Sequence, residues 1–318
     1  MRRGTSGLNL LLGIDKSQGM TSHDVVNRVR RALGERRVGH AGTLDPAATG
    51  VMVVGVGQGT RLMGLLTAER KSYLAGICFG AETDTDDAEG RVVREAQVGP
   101  QLCDEDYART QVAGLAGEHD QVPPQYSAIS VGGKRAYAMA REGQEVELQS
   151  RHITIYTAQL LAVLPGQAPV WQCAFEVSKG TYIRSIARDL GRSLGCAAHL
   201  GELRRTTSGV VTLADCVTLE RLEELGAQGV ASCCLDPVRA LGLPVRLLAD
   251  AEVQDAACGR ALRPGRLLDP ALGAQVEADE GQSVALVHGQ RLLGVWHVDH
   301  GRLRTSVNFP SGVAGVRQ

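Results

Sequence analysis

Apolar residues near the start of the chain recur every three or four positions, the spacing of one helical face. Across residues 23–33 this spacing predicts an amphipathic helix, with Thr21 or Ser22 capping its start and Gly34 ending it. Its apolar face consists of Val25, Val26, Val29 and Leu33. Arginines fall largely on the other face, the pattern of a helix that packs one side against a core.

Several later runs have the spacing of strands. Residues 51–56 and 71–79 predict buried strands, and the alternation of apolar and polar residues over 171–177 predicts a strand with one buried face. Residues 179–195 predict a turn that leads into a helix. Residues 82–120 are acidic and are expected to consist mainly of loops.

The last part of the chain changes character. Prolines and aspartate punctuate residues 236–245, which favours a domain boundary there. Beyond it, glycine-containing turns separate three strand-like runs, at 283–287, 291–298 and 302–309. We therefore predict a larger domain over residues 1–240 and a small β-rich domain over residues 245–318.

Net charge gives a misleading first impression. The 318 residues carry a formal charge of −1, which argues against a polyanionic partner. However, residues 1–70 carry a net +5, residues 82–120 a net −8 and residues 176–205 a net +3. The chain can therefore present a basic face to nucleic acid without being basic overall.

Composition also limits the possible classes of protein. At 43% hydrophobic and 22% charged residues it is typical of a globular chain, and no apolar run has the length of a membrane span. The eight cysteines form neither a zinc-finger spacing nor a CxxC pair, so reduced thiols in a cytoplasm are expected. We also expect no secretory signal peptide.

The densest group of reactive residues is the stretch GHAGTLDPAATG at 39–50. Pro46 favours an extended backbone at Asp45, so this carboxylate can project from a loop. Taken alone, the stretch is compatible with an ordinary Asp-Pro turn. Its glycine spacing matches neither common phosphate-binding loop, which argues against a nucleotide site.

A longer string, GHAGTLDPAATGVMVVGVGQGTR at 39–61, resembles the active-site motif of the TruB family of tRNA pseudouridine synthases. Other family motifs occur in the same order between residues 9 and 210: DKSQGMTSHD (15–24), KSY (71–73), GAETDTD (80–86), QVPPQYSA (121–128), SKGTYIRS (178–185), HL (199–200) and LRRT (203–206).

The resemblance implies an α+β fold: a catalytic domain with a mixed, mostly antiparallel sheet flanked by helices, followed by a small PUA-like RNA-binding domain. It also implies a thumb-like insertion at about 121–149. The implied activity isomerises uridine to pseudouridine in the T-loop of tRNA, at tRNA position 55. This chemistry requires no cofactor and no metal. We expect a cytoplasmic protein that acts as a monomer on the tRNA T-arm.

The resemblance also implies the catalytic residues. Asp45 is the catalytic carboxylate, either as nucleophile or as base toward the sugar. Arg184 pairs with Asp45 and keeps it ionised, although its position alone suits a solvated helix residue. Tyr73 stacks on the target base, with half-buried packing as its alternative.

Further residues are implied to bind the substrate. His40 fills the space left by the flipped base, and Lys16 contacts the RNA backbone or supports the active-site loop. Tyr182 and Leu203 either line the pocket or pack in the core. Gly42 and Thr43 are also expected to contact the substrate. Phosphate contacts are expected from a group of arginines taken collectively rather than individually: Arg28, Arg30, Arg31, Arg36, Arg37, Arg204 and Arg205.

Two positions depart from the family pattern: Ser17 replaces a proline and Ser130 a lysine. They affect the expected rigidity and RNA affinity, not the reaction. The alternatives are a tRNA-binding folding factor, a related synthase acting on rRNA or with a guide RNA, and a non-catalytic RNA-binding module.

Overall fold

The computed structural model describes residues 6–66, 70–127, 129–131, 134–135, 139, 147–166, 168–270 and 273–317. The chain forms two compact units. The first comprises Met1–Pro46, Gly50–Ala68 and Ser208–Gln318, and the second comprises Ala47–Thr49 and Glu69–Thr207.

The helices of the described residues are α1 (Ser22–Leu33), α2 (Glu105–Ala113), α3 (Ile183–Ser193), α4 (Leu219–Gly229), α5 (Pro237–Leu241) and α6 (Asp250–Ala257). Strands of the first half are β1 (Leu10–Lys16), β2 (Val38–Ala41), β3 (Thr49–Val56), β4 (Arg70–Phe79), β5 (Ala81–Thr83), β6 (Val92–Glu95), β7 (Gly117–Gln121), β8 (Ser130–Val131), β9 (Lys134–Arg135) and β10 (Arg151–Leu164). Those of the second half are β11 (Val170–Ser178), β12 (Ala198–Ser208), β13 (Val211–Thr212), β14 (Cys216–Val217), β15 (Cys234–Leu235), β16 (Val245–Leu247), β17 (Leu267–Leu268), β18 (Gln275–Val276), β19 (Ser283–His288), β20 (Arg291–Asp299) and β21 (Arg302–Ala314).

Helix α1 confirms the predicted pattern at both ends. Thr21 and Asp24 form a reciprocal capping box, and Gly34 ends the helix at φ 60°. Val25, Val26, Val29 and Leu33 are buried, as their spacing predicts. Beside α1, strand β1 pairs with β3 on one edge and with β14 and β15 on the other.

In the second unit, β12, β4, β11, β10 and β7 are neighbours in that order. The pairs β4–β11, β11–β10 and β10–β7 are antiparallel. Trp171 and Phe175 of β11 are buried, and the Trp171 ring lies 4.6 Å from that of Phe79. The predicted strands at 51–56, 71–79 and 171–177 and the helix after 179 are therefore confirmed, while the acidic segment, expected to be mostly loops, contains α2 and three strands.

The C-terminal strands form their own six-stranded sheet, in the order β18–β17–β16–β19–β20–β21. This β-rich part and the mixed, mostly antiparallel strands before it confirm the α+β prediction. Within the first unit, Leu11 and Val51 share one hydrophobic cluster with Val287 and Val313 of the C-terminal sheet. Residues 1–46 and 245–318 thus lie in the same compact unit, and the domain boundary near 240 stays a prediction.

No helix in the described part of the chain is long and apolar enough to cross a membrane.

Candidate active site

Asp45 lies in the loop between β2 and β3, and backbone contacts fix the residue on each side of it. Ser22, the first residue of α1, accepts from the Leu44 amide and donates to the Leu44 carbonyl, each at 2.9 Å. The carbonyl of Pro46 accepts from the Gly19 amide at 3.0 Å. Both neighbours of Asp45 are therefore held by atoms that do not involve its own side chain.

Lys16 also helps to anchor the loop that contains Asp45, and it does so with a buried charge. Its side chain is 0% exposed, and its ammonium donates to the carbonyls of Ser17 and Pro46, each at 3.1 Å. A buried ammonium needs such acceptors, since desolvating it alone is costly. Of the two roles expected for Lys16, this geometry favours support of the loop over contact with RNA.

Ser22 was expected only as a helix cap, and the cap is in fact Thr21. We predict that Ser22→Ala destabilises the fold by about 1–3 kcal/mol, because the Leu44 amide and carbonyl lose a buried partner. If Asp45 is the catalytic carboxylate that the motif implies, kcat should fall about tenfold or more, because Leu44 adjoins Asp45 and small displacements of a reacting group are costly. Thermal unfolding and single-turnover rates measure the two effects.

Ser193→Ala is the matched control, because its hydroxyl donates to the Leu190 carbonyl at an exposed helix end. Normal kcat in Ser22→Ala, at a temperature where the variant is folded, would show that Ser22 does not position Asp45.

The other loop residues predicted to bind substrate occupy distinct positions. His40 lies on β2 opposite Val54 of β3. Gly42 has a φ of +83°, a left-handed conformation that favours glycine. Thr43 is exposed. These residues thus lie on the same strand–loop segment of the first unit as Asp45.

The remaining predicted residues belong to the second unit. Tyr73 lies on β4 opposite Phe175 and is 8% exposed. Leu203 lies on β12 and is half-buried, and its carbonyl accepts from the Thr49 hydroxyl at 3.5 Å. Both positions remain compatible with a pocket wall and with packing.

Arg184 is buried on α3, at 4% exposure, and is not the solvated helix residue that its position alone suggests. One guanidinium nitrogen donates to the Thr85 carbonyl at 2.9 Å, and the other donates to the Tyr126 carbonyl at 3.1 Å. The first nitrogen also lies 3.5 Å from a carboxylate oxygen of Asp87. The planar guanidinium is therefore oriented by two separate loops.

One helical turn later, Arg188 repeats this arrangement. It binds the Asp86 carboxylate at 2.7 Å and the Val122 carbonyl at 2.9 Å. Burial raises the pKa of Asp86, and Arg188 partly offsets this rise. Two arginines on one face of α3 thus bind two adjacent aspartates of the 83–87 loop, and these ion pairs fix the loop against the helix.

Gln121 is a positioning residue that sequence reasoning missed. Its buried amide donates to the Tyr182 carbonyl at 3.1 Å and accepts from the Tyr182 amide at 2.9 Å, just before α3 begins. Ser185 also donates to the Val122 carbonyl at 2.9 Å. The first residues of the expected thumb-like insertion, 121–126, therefore hold the start of α3. Most of 128–146 lies outside the described residues.

Two of the arginines expected to contact phosphates have other roles. Arg28 forms ion pairs with Glu220 at 3.1 Å and Glu223 at 2.8 Å, both on α4. Arg205 is 0% exposed, so its guanidinium does not reach solvent. Arg205 therefore adds no surface charge to the group of arginines expected to contact phosphates, and its inclusion in that group is corrected.

One group in the described part of the chain has the ligand types of a metal site, formed by Glu280, Asp299 and His300 on the C-terminal sheet. All three are exposed or half-exposed, an arrangement common without an ion, and no metal role follows.

Comparison with known proteins identifies the family. The family model for the N-terminal domain of TruB family pseudouridylate synthases matches residues 30–183. The model for the tRNA pseudouridylate synthase B C-terminal domain matches residues 184–241. A tRNA pseudouridine synthase B from Mycobacterium sp. (strain KMS) is 49% identical over 79% of this chain and 83% of its own length. One from Deinococcus radiodurans is 40% identical over 88% of this chain and 96% of its own length.

The chain belongs to the TruB family of pseudouridylate synthases. It is therefore an isomerase that converts uridine to pseudouridine in RNA.

Solved structures show the same fold. A Cbf5–Nop10–Gar1 complex contains a chain that matches with a TM-score of 0.68 at 22% identity, over 97% of this chain and 86% of that one. An H/ACA RNP bound to a substrate RNA contains one that matches with a TM-score of 0.67 at 21% identity, over 96% and 86% of the two chains. The predicted pseudouridine synthase fold is thereby confirmed.

Within this TruB-family chain, the predicted residues form two sets. Lys16, His40, Gly42, Thr43 and Asp45 lie in the first unit, and Tyr73, Tyr182, Arg184 and Leu203 in the second. The pairing of Asp45 with Arg184, and the roles of the individual residues, stay predictions.

Proposed function

We propose that this chain isomerises uridine to pseudouridine at position 55 in the T-loop of tRNA, with Asp45 as its catalytic carboxylate. The observation that supports the proposal most strongly is the loop GHAGTLDP at 39–46, in which Leu44 and Pro46 are anchored on either side of Asp45. Curated relatives from Mycobacterium and Deinococcus radiodurans are named tRNA pseudouridine synthase B.

The reaction rearranges atoms within one nucleotide. The bond from C1′ of the sugar to N1 of uracil breaks, the base turns, and C1′ bonds to C5. The proton lost from C5 is balanced by the proton gained at N1. No electron is exchanged with another molecule, so a carboxylate that acts on the sugar or on a proton is sufficient chemistry.

Tyr73 and Arg184 have complementary roles in this proposal. The Tyr73 ring stacks on the flipped base, with its hydroxyl near the proton at C5. Arg184 keeps Asp45 ionised, because a neighbouring cation stabilises a carboxylate in a desolvated site. Its fixed guanidinium orientation suits this role.

Recognition of the T-arm completes the proposal. His40 fills the stack after the base is flipped out, which offsets part of the unstacking cost of a few kcal/mol. We place the chain in the cytoplasm, where tRNA is available, and expect it to act as a monomer.

Mapping of pseudouridine tests the substrate. The purified chain should modify an unmodified tRNA transcript at position 55 and leave a transcript with cytidine at that position unchanged. In a strain that lacks the gene, we expect pseudouridine to disappear from position 55 of tRNA. Loss of pseudouridine from rRNA alone would contradict the proposed substrate.

A further inference from the structure

Ser127 carries a buried hydroxyl for which the fold supplies no hydrogen bond. The residue is 3% exposed, and its Oγ has no partner within the part of the chain that the structure describes. No other fully buried hydroxyl among the described residues lacks one. Buried polar groups nearly always have a partner, because their desolvation is otherwise uncompensated. In an enzyme, a substrate can supply the missing hydrogen bond, and the position of Ser127 decides whether this explanation applies.

Ser127 directly follows a segment that is fixed along the start of α3. At the beginning of this segment, the Gln121 amide group binds the backbone amide and carbonyl of Tyr182. At its end, the carbonyl of Tyr126 accepts from the Arg184 guanidinium at 3.1 Å. That carbonyl belongs to the peptide group that joins Tyr126 to Ser127. Ser127 therefore lies next to the contact that orients Arg184, one of the predicted catalytic residues.

Other buried polar side chains along the same contact are satisfied by the fold. Ser185 is 0% exposed, yet its hydroxyl donates to the Val122 carbonyl at 2.9 Å. The Arg188 guanidinium donates to the same carbonyl, also at 2.9 Å. Polar groups are thus matched closely where this segment meets α3. Poor packing of the whole contact therefore does not explain the unmatched hydroxyl of Ser127.

The charges near Ser127 favour a neutral ligand over an anion. The Arg184 guanidinium lies 3.5 Å from a carboxylate oxygen of Asp87, and Arg188 binds the Asp86 carboxylate at 2.7 Å. Both cations of this helix face therefore already have anionic partners, and a phosphate placed among them would be repelled by two carboxylates. A hydroxyl suits a neutral ligand well, because it can donate to a carbonyl oxygen without adding charge.

The neutral group that the proposed reaction brings to this unit is the flipped uracil. Helix α3 packs against β4, the strand that carries Tyr73, and the base is proposed to stack on Tyr73. Stacking uses the face of the base and leaves the two carbonyl oxygens at its edge available for hydrogen bonds. We propose that the Ser127 hydroxyl donates a hydrogen bond to a carbonyl oxygen of the target uracil. This inference rests on the proposed function, because it takes the flipped uridine as the ligand.

A hydroxyl that serves the substrate affects the free protein and the reaction in opposite directions. Ser127→Ala removes a group that has no partner in the free protein, so the unfolding temperature should stay the same or rise slightly. The same change removes a hydrogen bond from the complex, so kcat/KM for an unmodified tRNA transcript should fall about tenfold. A hydroxyl that served only the fold would lower the unfolding temperature instead.

Transcripts with a modified target base identify the atom that Ser127 binds. One carries 2-thiouridine and another 4-thiouridine at position 55, and the full-length wild type and Ser127→Ala convert each under single-turnover conditions. Sulfur is a weak acceptor, so thiation of the contacted carbonyl should slow the wild type and have little further effect on Ser127→Ala. Ser193→Ala is the matched control, because its hydroxyl donates to the Leu190 carbonyl near the end of α3. It should respond to thiation as the wild type does.

Three results would overturn the contact between Ser127 and uracil. They are a wild-type kcat/KM in Ser127→Ala, losses that add fully for both thiated transcripts, and a fall in unfolding temperature that accounts for the lost activity. If the wild-type protein does not convert uridine at position 55 at all, the proposed function fails instead.

Discussion

Replacing Asp45 with asparagine abolishes pseudouridine formation and leaves tRNA binding within a few-fold of the wild type: this is the largest effect that we expect. The amide has nearly the same size as the carboxylate but acts neither as nucleophile nor as base. We expect the rate to fall by at least about 1,000-fold, toward the upper end of what positioned acid–base groups supply. Single-turnover conversion of a radiolabelled transcript, with filter binding on the same sample, measures both quantities.

The fold should tolerate this substitution. The loop is anchored through the backbone of Leu44 and Pro46, which Asp45→Asn leaves in place. Asp45→Glu is the control, because it keeps the charge and moves it by one methylene group, and it should retain a low but measurable rate. Wild-type turnover in Asp45→Asn would remove Asp45 from the mechanism. If Asp45→Asn still accelerates tRNA folding, the chain also acts as a folding factor.

Arg184→Lys should have the second-largest effect. The two guanidinium nitrogens of Arg184 bridge the carbonyls of Thr85 and Tyr126, and one ammonium cannot reproduce that planar fork. If Arg184 keeps Asp45 ionised as proposed, we expect kcat/KM to fall by about 100-fold or more, because a misplaced cation no longer stabilises that carboxylate. The pH–rate profile should also change, with its acidic limb displaced to higher pH, since a carboxylate that loses its cation protonates more readily.

Arg188→Lys provides the comparison. Arg188 lies one turn along the same buried face and binds Asp86 and the Val122 carbonyl, so its loss disturbs similar contacts. We expect a similar drop in unfolding temperature for both variants, but a change in kcat of only a few-fold for Arg188→Lys. If the two variants lose activity in proportion to their loss of stability, Arg184 is structural.

The local pattern of apolar and polar residues was sufficient to predict several helices and strands of this fold. Helix α1 follows from the spacing of Val25, Val29 and Leu33 with a polar cap and a terminal glycine, all between residues 21 and 34. The same holds for β3 and β11, whose apolar runs decide their burial. Asp45 is different, because the stretch around it is also compatible with an ordinary turn. Only the series of family motifs, in their order along the chain, identified Asp45 as a candidate.

Contacts between residues far apart in sequence were not predictable in this way. Gln121 holds the backbone of Tyr182 across 61 positions, and Ser22 holds Leu44 across 22. In both cases one partner is a backbone amide or carbonyl, which leaves no trace in the amino-acid type of that residue. Arg205 was misjudged for a related reason, since an arginine beside another arginine suggests a basic surface, and only the packing of β12 shows it buried.

The order of the chain in the first unit affects how the protein emerges from the ribosome. Strand β1 is synthesised early. The strands that pair with one of its edges, β14 at 216–217 and β15 at 234–235, are synthesised some 200 residues later. Most of the second unit is the continuous stretch Glu69–Thr207, which needs no such delay. We therefore expect residues 69–207 to fold first during synthesis, while the apolar β1 waits with an open edge that a chaperone can bind.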